Sequence, residues 1–585
     1  MTAKKPPKSK PLPRELLFCI LKHVQASNLS PCTLVSKEFN VVSSTFRWRN
    51  VSLQWSRDQP SMERNLKTLG MIERRHGSLV RSLQITQELS NDSDDNQQIQ
   101  SRERDVGSRL LLLLQGGKLA NLQTLRLYKI AFDGDLIDVL ARSCPRLEHL
   151  SLAYCRTSKV EKVADLGLSC RRIRIFEIKF GDPSSEMSRE LLETLLFSLF
   201  KHTRLAELRL SGWRGEIGLG NKELNTFLNS VGHSICVLSL WHVNMSPDFL
   251  RALISPMIFE LELVNMDAAL LEEVAAHVAE KCSGLRKLSL VPVRNVAVQL
   301  MSDDATAAVI DTSRNTLQSI SLSGAFSCLD TTLSTLSGCT SIQSFSLSRD
   351  FAVTETALNA LASFLFLQGS NLKELSLNIP RDQYLANVVN FEHQDAGTIG
   401  PRCELAQFIC NNVSFPSLTS LELNFLFLVS TEDLAKLIRF SPRLQYVQLG
   451  DYNRKVSRQI IPWVYTCWTE LIALEMDFFQ GLDMSDFVTW AKVEMNKFQR
   501  IQRLTNQAVT ITMPRQDPGN HETFPGSFPI RSQMGTHIII NAPVAAARQG
   551  QHSTDKANAG FEFSALRSHF KRLEWIRING EYYSN

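Results

Sequence analysis

LEHLSL, at residues 147–152, places leucines at its first, fourth and sixth positions. Its last four residues alternate polar and apolar side chains, which is the pattern of a short strand with one buried face. Related hexamers recur along the chain, and most of them are about 23 to 32 residues apart. The copies begin at Leu122, Leu147, Ile173, Leu205, Ile235, Ile258, Leu285, Leu317, Ile342, Leu372, Leu418, Leu444 and Leu471.

The segments between the hexamers have helical patterns. DLIDVLARSCPRL at 135–147 and LLEEVAAHVAEKCSGL at 270–285 carry apolar residues at steps of three and four. One strand with one helix cannot bury its apolar face alone, whereas stacked copies can. The period is that of leucine-rich repeats. We therefore predict an α/β fold, an irregular leucine-rich-repeat solenoid (horseshoe) with parallel strands inside and helices outside.

A small residue recurs three positions before several hexamers. Cys144, Cys170, Cys282 and Cys339 occupy this slot, which His202 and Ser441 fill in other repeats. Metal binding or redox chemistry is one interpretation. The other is a small buried residue at the corner between helix and strand, because cysteine packs as a small hydrophobe. No two of these cysteines have ligand-like spacing, so we expect no metal and no cofactor.

The bulk composition excludes some classes of protein. The 585 residues carry a formal net charge of only +5, which does not favour wholesale nucleic-acid binding. No apolar run approaches the roughly 18 to 20 residues of a membrane helix. The basic N-terminus is not followed by an apolar segment, so we expect no secretory signal. These features predict a cytoplasmic and/or nuclear protein with reduced cysteines.

The pattern divides the chain into six segments. A disordered basic tail at 1–11 precedes a short helical block at 12–53. An irregular first part at 54–118, with a mobile polar loop at 88–105, leads into regular repeats at 119–480. We predict a helical and then Pro/Gly/Gln-rich extension or insertion at 481–562, for which the sequence offers no mechanism, and a terminal repeat or cap at 563–585.

The block at 12–53 shares nothing with the repeats. LPRELLFCILKHV at 12–24 has helical spacing after Pro13, and LVSKEFN at 34–40 begins a second helical stretch that reaches Trp48. About 40 residues bury too little surface for independent stability. We therefore expect the block to dock on its own repeats, on a partner, or on both.

This block resembles an F-box, through Leu-Pro-x-Glu-Leu-Leu, Ile20, LVSKEFN and Trp48 in that order. Followed by leucine-rich repeats, it is similar to the F-box and leucine-rich repeat family, whose members are substrate receptors of SCF-type ubiquitin ligases. The resemblance implies binding to a Skp-type adaptor and, through it, to a cullin and a RING protein. The middle segment QASNLSPCTL departs from the usual F-box linker. The residues that the resemblance assigns to adaptor binding are Leu12, Pro13, Leu16, Leu17, Ile20, Val35, Phe39 and Trp48. Of these, Val35, Phe39 and Trp48 would hold the F-box together or seat it against the adaptor.

A protein substrate would bind to the inner face of the repeats, where the polar residues of each hexamer point away from the core. The early part of this face is charged and the later part carries four serines in succession. Serine could also be there only because it tolerates a crowded inner curve. The candidate residues are Arg126, Arg209, Glu260, Glu262, Ser289, Ser321, Ser346 and Ser376.

No catalytic motif stands out. HExxH, GxSxG and phosphate-loop patterns are absent, and the histidines are dispersed. We therefore expect a non-catalytic receptor subunit for ubiquitin-dependent protein degradation. One alternative is a scaffold that binds the adaptor without ubiquitin transfer. Others are a block that only caps the solenoid, and an enzyme within residues 484–563.

Overall fold

The protein is described here from a computed structural model. Two compact units divide the chain at Met1–Gly284 and Leu285–Asn585, and each is described by itself. The structure describes residues 12–24, 29–55, 59–87, 96–132, 136–157, 164–180, 189–213, 217, 234–293, 300–324, 326–327, 329–348, 354–378, 401–424, 429–449, 457–468, 470–471, 473–477, 537–541, 575–578 and 581–584.

The first unit contains a parallel sheet in which each strand pairs with the next one along the chain. A two-residue bridge outside this sheet joins Ala131–Phe132 to Arg156–Thr157. Strands β1 to β8 are, in order, Asn50–Trp55, Ser82–Gln87, Thr124–Tyr128, His149–Ala153, Ile175–Lys179, Glu207–Ser211, Val237–Trp241 and Glu260–Met266.

The described residues of the second unit show the same pattern, with nine parallel strands. A final strand then turns back and pairs antiparallel with its predecessor. Strands β9 to β18 are Lys287–Pro292, Ser319–Ser323, Ser344–Ser348, Glu374–Asn378, Ser420–Leu423, Tyr446–Leu449, Ala473–Asp477, His537–Asn541, Trp575–Ile578 and Glu581–Ser584.

Helices lie in most of the connections between strands that the structure describes. Within each unit, successive helices pack side by side over most of the described chain. Their apolar faces are buried together with the aliphatic residues of the strands, so one core lies between the two layers. Helices α1 to α16 are Arg14–Leu21, Leu29–Cys32, Lys37–Arg49, Gln59–Met71, Asn96–Gln115, Leu136–Ser143, Ala164–Ser169, Arg189–His202, Pro247–Leu253, Ala268–Lys281, Asp303–Ser313, Asp330–Leu336, Glu355–Gln368, Pro401–Asn412, Thr431–Phe440 and Ile461–Cys467.

The hexamer pattern is confirmed as a strand signal. In every copy from Leu122 to Leu471 the strand begins at the third residue of the hexamer. In the copies from Leu122 to Leu444 the first, fourth and sixth positions are buried, as in Leu147, Leu150 and Leu152. Parallel strands need a crossover connection, and a helix lies in most of the connections that the structure describes.

The cysteine slot is also confirmed as a packing position. Cys144, Cys170, Cys282 and Cys339 are fully buried, and the Cys170 thiol donates to the carbonyl oxygen of Cys144 at 3.3 Å. Burial raises the thiol pKa to about 12 for Cys144 and Cys170, and to about 11 for Cys282 and Cys339. These thiols therefore stay protonated near neutral pH and act as small core residues.

The predicted polar loop at 88–105 is wrong over its second half. Helix α5 begins at Asn96 and continues to Gln115. The segment from Asn96 to Asp105 is rich in Gln, Arg and Glu, which have high helix propensity, and contains no proline or glycine. Buried Val106, Leu110 and Leu114 anchor the C-terminal half of this helix, so the polar residues extend an existing helix. Residues 88–95 lie outside the described residues.

The predicted extension at 481–562 contains a strand that sequence analysis missed. Strand β16, His537–Asn541, pairs in parallel with β15 and with β17. The signal was the isoleucine triplet Ile538–Ile540, but no full hexamer surrounds it. The other residues of 481–562, and the tail at 1–11, lie outside the described residues.

Candidate functional site

The N-terminal block has a small core of its own. Helices α1 and α2 both pack on α3. Ser36 caps α3 by accepting a hydrogen bond from the backbone N–H of Phe39 at 3.2 Å. The buried core residues are Leu17, Leu21, Leu29 and Val42, with Val24, Cys32, Phe39 and Phe46 packed partly buried around them.

The outer side of the same block is apolar and exposed. Leu12, Leu16 and Ile20 have exposed fractions of 46%, 52% and 51%. Leu16 and Ile20 are four residues apart and share one face of α1. Leu34 and Val35, in the turn between α2 and α3, are exposed by 88% and 65%. Exposed apolar residues gathered on one small element are typical of an interaction surface.

Trp48 connects the block to the first repeat. Its ring is buried and stacks on the imidazole of His76, with the ring centroids 4.6 Å apart and the planes 10° apart. The backbone N–H of Arg81 donates to the carbonyl oxygen of Arg49 at 2.8 Å, just ahead of the strand pairing of β1 with β2. Burial of His76 lowers its pKa, and the charges of Arg75 and Arg47 lower it further. A neutral ring therefore faces Trp48.

Two residues of the predicted adaptor surface have internal roles in this structure. Leu17 is 1% exposed and belongs to the core of the block, and Trp48 is 7% exposed against the first repeat. The reason is geometric: Leu17 follows Leu16 by one residue, about 100° around the helix, and so points toward α3. Phe39 is partly buried and also supports the core. Leu12, Pro13, Leu16, Ile20 and Val35 are exposed.

The polar face of the first unit carries a row of charged and hydroxyl side chains, several of which are paired by hydrogen bonds or salt bridges. The strand register aligns Arg126, Ser151, Glu177, Arg209, Ser239 and Glu262 in adjacent strands. Arg209 forms a salt bridge with Glu207 at 3.3 Å, and the Ser239 hydroxyl donates to Glu262 at 2.7 Å. Arg126 is exposed, whereas Glu260 and Glu262 are half-buried.

Glu177 is the best-connected carboxylate of this row. It forms a salt bridge with Lys179 at 3.1 Å and accepts a hydrogen bond from Ser151 at 2.9 Å. Burial raises the pKa of Glu177, but the hydrogen bonds from Lys179 and Ser151 outweigh it, so the pKa lies below its usual value. The carboxylate therefore stays charged, and the row presents a fixed pattern of charges.

The polar face of the second unit is a row of hydroxyl groups. Ser289, Ser321, Ser346 and Ser376 lie opposite one another in adjacent strands, which confirms the predicted alignment. Ser289 is 8% exposed, and the other three are half-buried. The row ends at Glu422, whose carboxylate accepts from Ser376 at 2.6 Å. A role in substrate binding stays a prediction.

Two large exposed residues on these faces were missed by sequence analysis. Trp241 is 45% exposed at the end of β7, and its indole N–H donates to the Ser239 hydroxyl at 3.0 Å. Tyr446 is 48% exposed at the start of β14. Trp241 directly follows the last leucine of its hexamer, so its place at the end of the strand could have been predicted from the sequence. Its exposure depends on the residues of neighbouring strands.

Among the described residues, no group of three or more His, Cys, Asp or Glu residues could hold a metal ion. No helix among the same residues is long and apolar enough to cross a membrane.

Comparisons with known proteins give little more. No family model matches this chain, and no curated protein matches it. Among solved structures, one described as the Rad7 and Elc1 complex in yeast is similar at 15% identity and a TM-score of 0.40. The match covers 81% of this chain and 95% of that chain. A similarity of this size does not establish a shared fold or function, so the α/β repeat architecture rests on the strands and helices described above.

Proposed function

We propose that this chain is a non-catalytic substrate-recognition subunit of an SCF-type E3 ubiquitin ligase, acting in the cytoplasm or the nucleus. The N-terminal block binds a Skp-type adaptor and, through it, a cullin and a RING protein. The repeats bind a protein substrate for ubiquitination. The observation that carries this proposal is the exposed apolar face of Leu12, Leu16 and Ile20, on a block whose sequence resembles an F-box.

The physical basis for adaptor binding is the burial of that face. Anchoring by a few apolar side chains of a helix is a common way to occupy a groove on a partner. The block's own core uses other residues, so the surface can bind without unfolding the block. The chain itself catalyses no covalent step in this role. It raises the effective concentration of substrate lysines near the ubiquitin-conjugating enzyme.

The first experiment is a double substitution, Leu16→Asp with Ile20→Asp, tested by capture of a purified Skp-type adaptor on the full chain. We expect adaptor capture to be lost, because two carboxylates would be desolvated in an apolar contact. The matched control is Leu112→Asp with Met257→Asp, which changes two residues of 66% and 63% exposure in the repeats. Adaptor capture at the unsubstituted level by the first variant would refute this face as the binding site.

A second role for the block is supported by the contact between Trp48 and His76. The block sits at the start of the first unit's sheet, where helix α3 contacts strand β1 and Trp48 stacks on His76. It would then act as a cap, with or without an adaptor. Removal of residues 1–49, which leaves strand β1 in place, separates the roles: a cap predicts a lower melting temperature of the repeats, whereas adaptor binding alone predicts only loss of capture.

A scaffold that binds the adaptor without ubiquitin transfer remains the alternative within the same class of protein. Co-purification of the cullin, together with the half-life of captured proteins when the proteasome is inhibited, distinguishes it from a receptor. If the chain is a receptor, the cullin should co-purify with it, and the captured proteins should have longer half-lives when the proteasome is inhibited.

A further inference from the structure

One corner of the first unit collects cationic side chains from neighbouring repeats. Strands β4, β5 and β6 are adjacent, with His149 opposite Ile175 and Ile175 opposite Glu207. Arg146, Arg172 and Arg204 each lie three residues before their strand. Because the strands are about 4.8 Å apart, residues at the same position before each strand become neighbours. Three arginines thus form a short row at the corner.

More cations surround this row. A cavity of about 540 Å³ is lined by Arg171, Arg172, Arg174, Lys201 and Arg204, which we call the basic corner, and by His202, Thr203 and Glu148. The five basic side chains are exposed. Among the described lining residues, only Glu148 carries a carboxylate, and it accepts a hydrogen bond from the side-chain amide of Gln123 at 3.4 Å.

The positive charge of the basic corner is not balanced within the described residues. None of its five cations forms a salt bridge there. Arg171 donates to the carbonyl oxygen of Leu168 at 3.1 Å, and the Lys201 ammonium lies 5.4 Å from the ring of Phe197. Like charges held close together repel one another and concentrate anions around them. The planar guanidinium groups are suited to paired hydrogen bonds with carboxylates.

The shape of the corner favours an extended protein segment. An open cavity rimmed by exposed side chains would leave a small ligand largely in solvent, whereas small-ligand sites bury most of their ligand. Among the described residues, no Phe, Tyr or Trp side chain lines the cavity. Single-stranded nucleic acids usually stack their bases on such side chains. Side chains on one side of an extended segment repeat about every 6.8 Å. Long arginine side chains about 4.8 Å apart can reach successive carboxylates of such a segment.

We propose that the basic corner binds an acidic segment of a protein partner, with Glu or Asp at alternating positions. This deepens the proposed function, because it names the chemistry by which the repeats would recognise a substrate. The site lies at the edge where the strands begin. It is therefore distinct from the serine row and from the charged row on the face of the sheet.

The test uses the full chain without adaptor and a fluorescently labelled peptide of about ten residues in which Glu alternates with Ser. Binding is measured by fluorescence anisotropy at low salt, because exposed charge pairs are screened at high salt. We expect Arg172→Glu with Arg204→Glu to weaken binding by about tenfold or more, since each change reverses a charge at the centre of the corner.

The matched control is Arg443→Glu with Lys281→Glu. Arg443 is exposed and also lies three residues before a strand, and Lys281 is exposed at the end of a helix. The two double variants change the formal charge equally, so the control should bind within about twofold of the unsubstituted chain. Melting temperatures check that both variants fold.

Three results would overturn the inference: failure of the peptide to bind, equal binding of a peptide with Gln in place of Glu, or equal loss in both double variants. Stronger binding of a single-stranded oligonucleotide than of the Glu peptide would assign the corner to nucleic acid instead. Adaptor capture by the same samples separates the two proposals. If the unsubstituted chain captures the adaptor but does not bind the peptide, this inference alone fails. If it binds the peptide but does not capture the adaptor, the ligase proposal fails.

Discussion

The N-terminal block and the repeats use the same apolar residues in opposite ways. Leu150 and Leu375, in the strands of the two units, are exposed by no more than 1%, whereas Leu16 is 52% exposed in a helix of eight residues. In the repeats, each strand and helix gains a neighbour on both sides, so its aliphatic residues are covered within the chain. Among the described residues, no such neighbour covers the outer side of the block. Exposure, rather than residue type, therefore separates apolar residues that stabilise the fold from those offered to a partner.

The largest expected effect comes from the buried side of this comparison. Phe345 is 1% exposed, and its ring lies 4.8 Å from the ring of Phe364. Phe345→Ala should lower the free energy of unfolding by about 3 to 5 kcal/mol, because it removes a buried ring and leaves a cavity. Phe366→Ala is the control, since Phe366 is 62% exposed in the neighbouring helix. Urea unfolding measures the free energy of unfolding of both variants. Equal decreases would contradict the distinction between buried and exposed residues.

A smaller effect is expected within the block itself. Leu17→Ala should destabilise the block by about 2 to 4 kcal/mol, because its side chain fills the core of a small unit. Leu16→Ala should change the stability of the block by less than about 0.5 kcal/mol, since its side chain is half-exposed. Hydrogen exchange of the backbone amides of Lys37–Arg49 measures the stability of the block separately from the repeats. Similar exchange in both variants would show that Leu17 is not a core residue.

The smallest effect on stability is expected on the serine row. Ser321→Arg should change the free energy of unfolding by less than about 0.5 kcal/mol, because the new side chain can extend into solvent. If this face binds the substrate, retention of co-purifying proteins should fall at the same time. Ser283→Arg, at an exposed turn, is the control. Unchanged retention of co-purifying proteins by the Ser321 variant would indicate that the serines are there only because small side chains fit a crowded face.

Local pattern was enough to predict the strands and their alignment. The alternation in each hexamer is a property of a few consecutive residues, and the near-regular spacing implies parallel stacking. The two failures occurred where local pattern is weak. The segment from Asn96 to Asp105 is polar but helical, because a buried continuation at Val106 and Leu110 extends a helix into it. Strand β16 has only an isoleucine triplet within a segment of otherwise irregular composition.

The sequence by itself determined the repeat, the strand positions and the burial of the cysteine slot, because each depends on periodicity along the chain. Only the tertiary structure decided which of the adjacent residues Leu16 and Leu17 faces outward, since that depends on where α3 packs. It alone also showed that Arg172 and Arg204 line one cavity. These residues are far apart in the sequence, and they become neighbours because β5 and β6 pair in register. Periodicity specifies which side of an element is apolar, whereas packing between elements decides which side chains remain open to a partner.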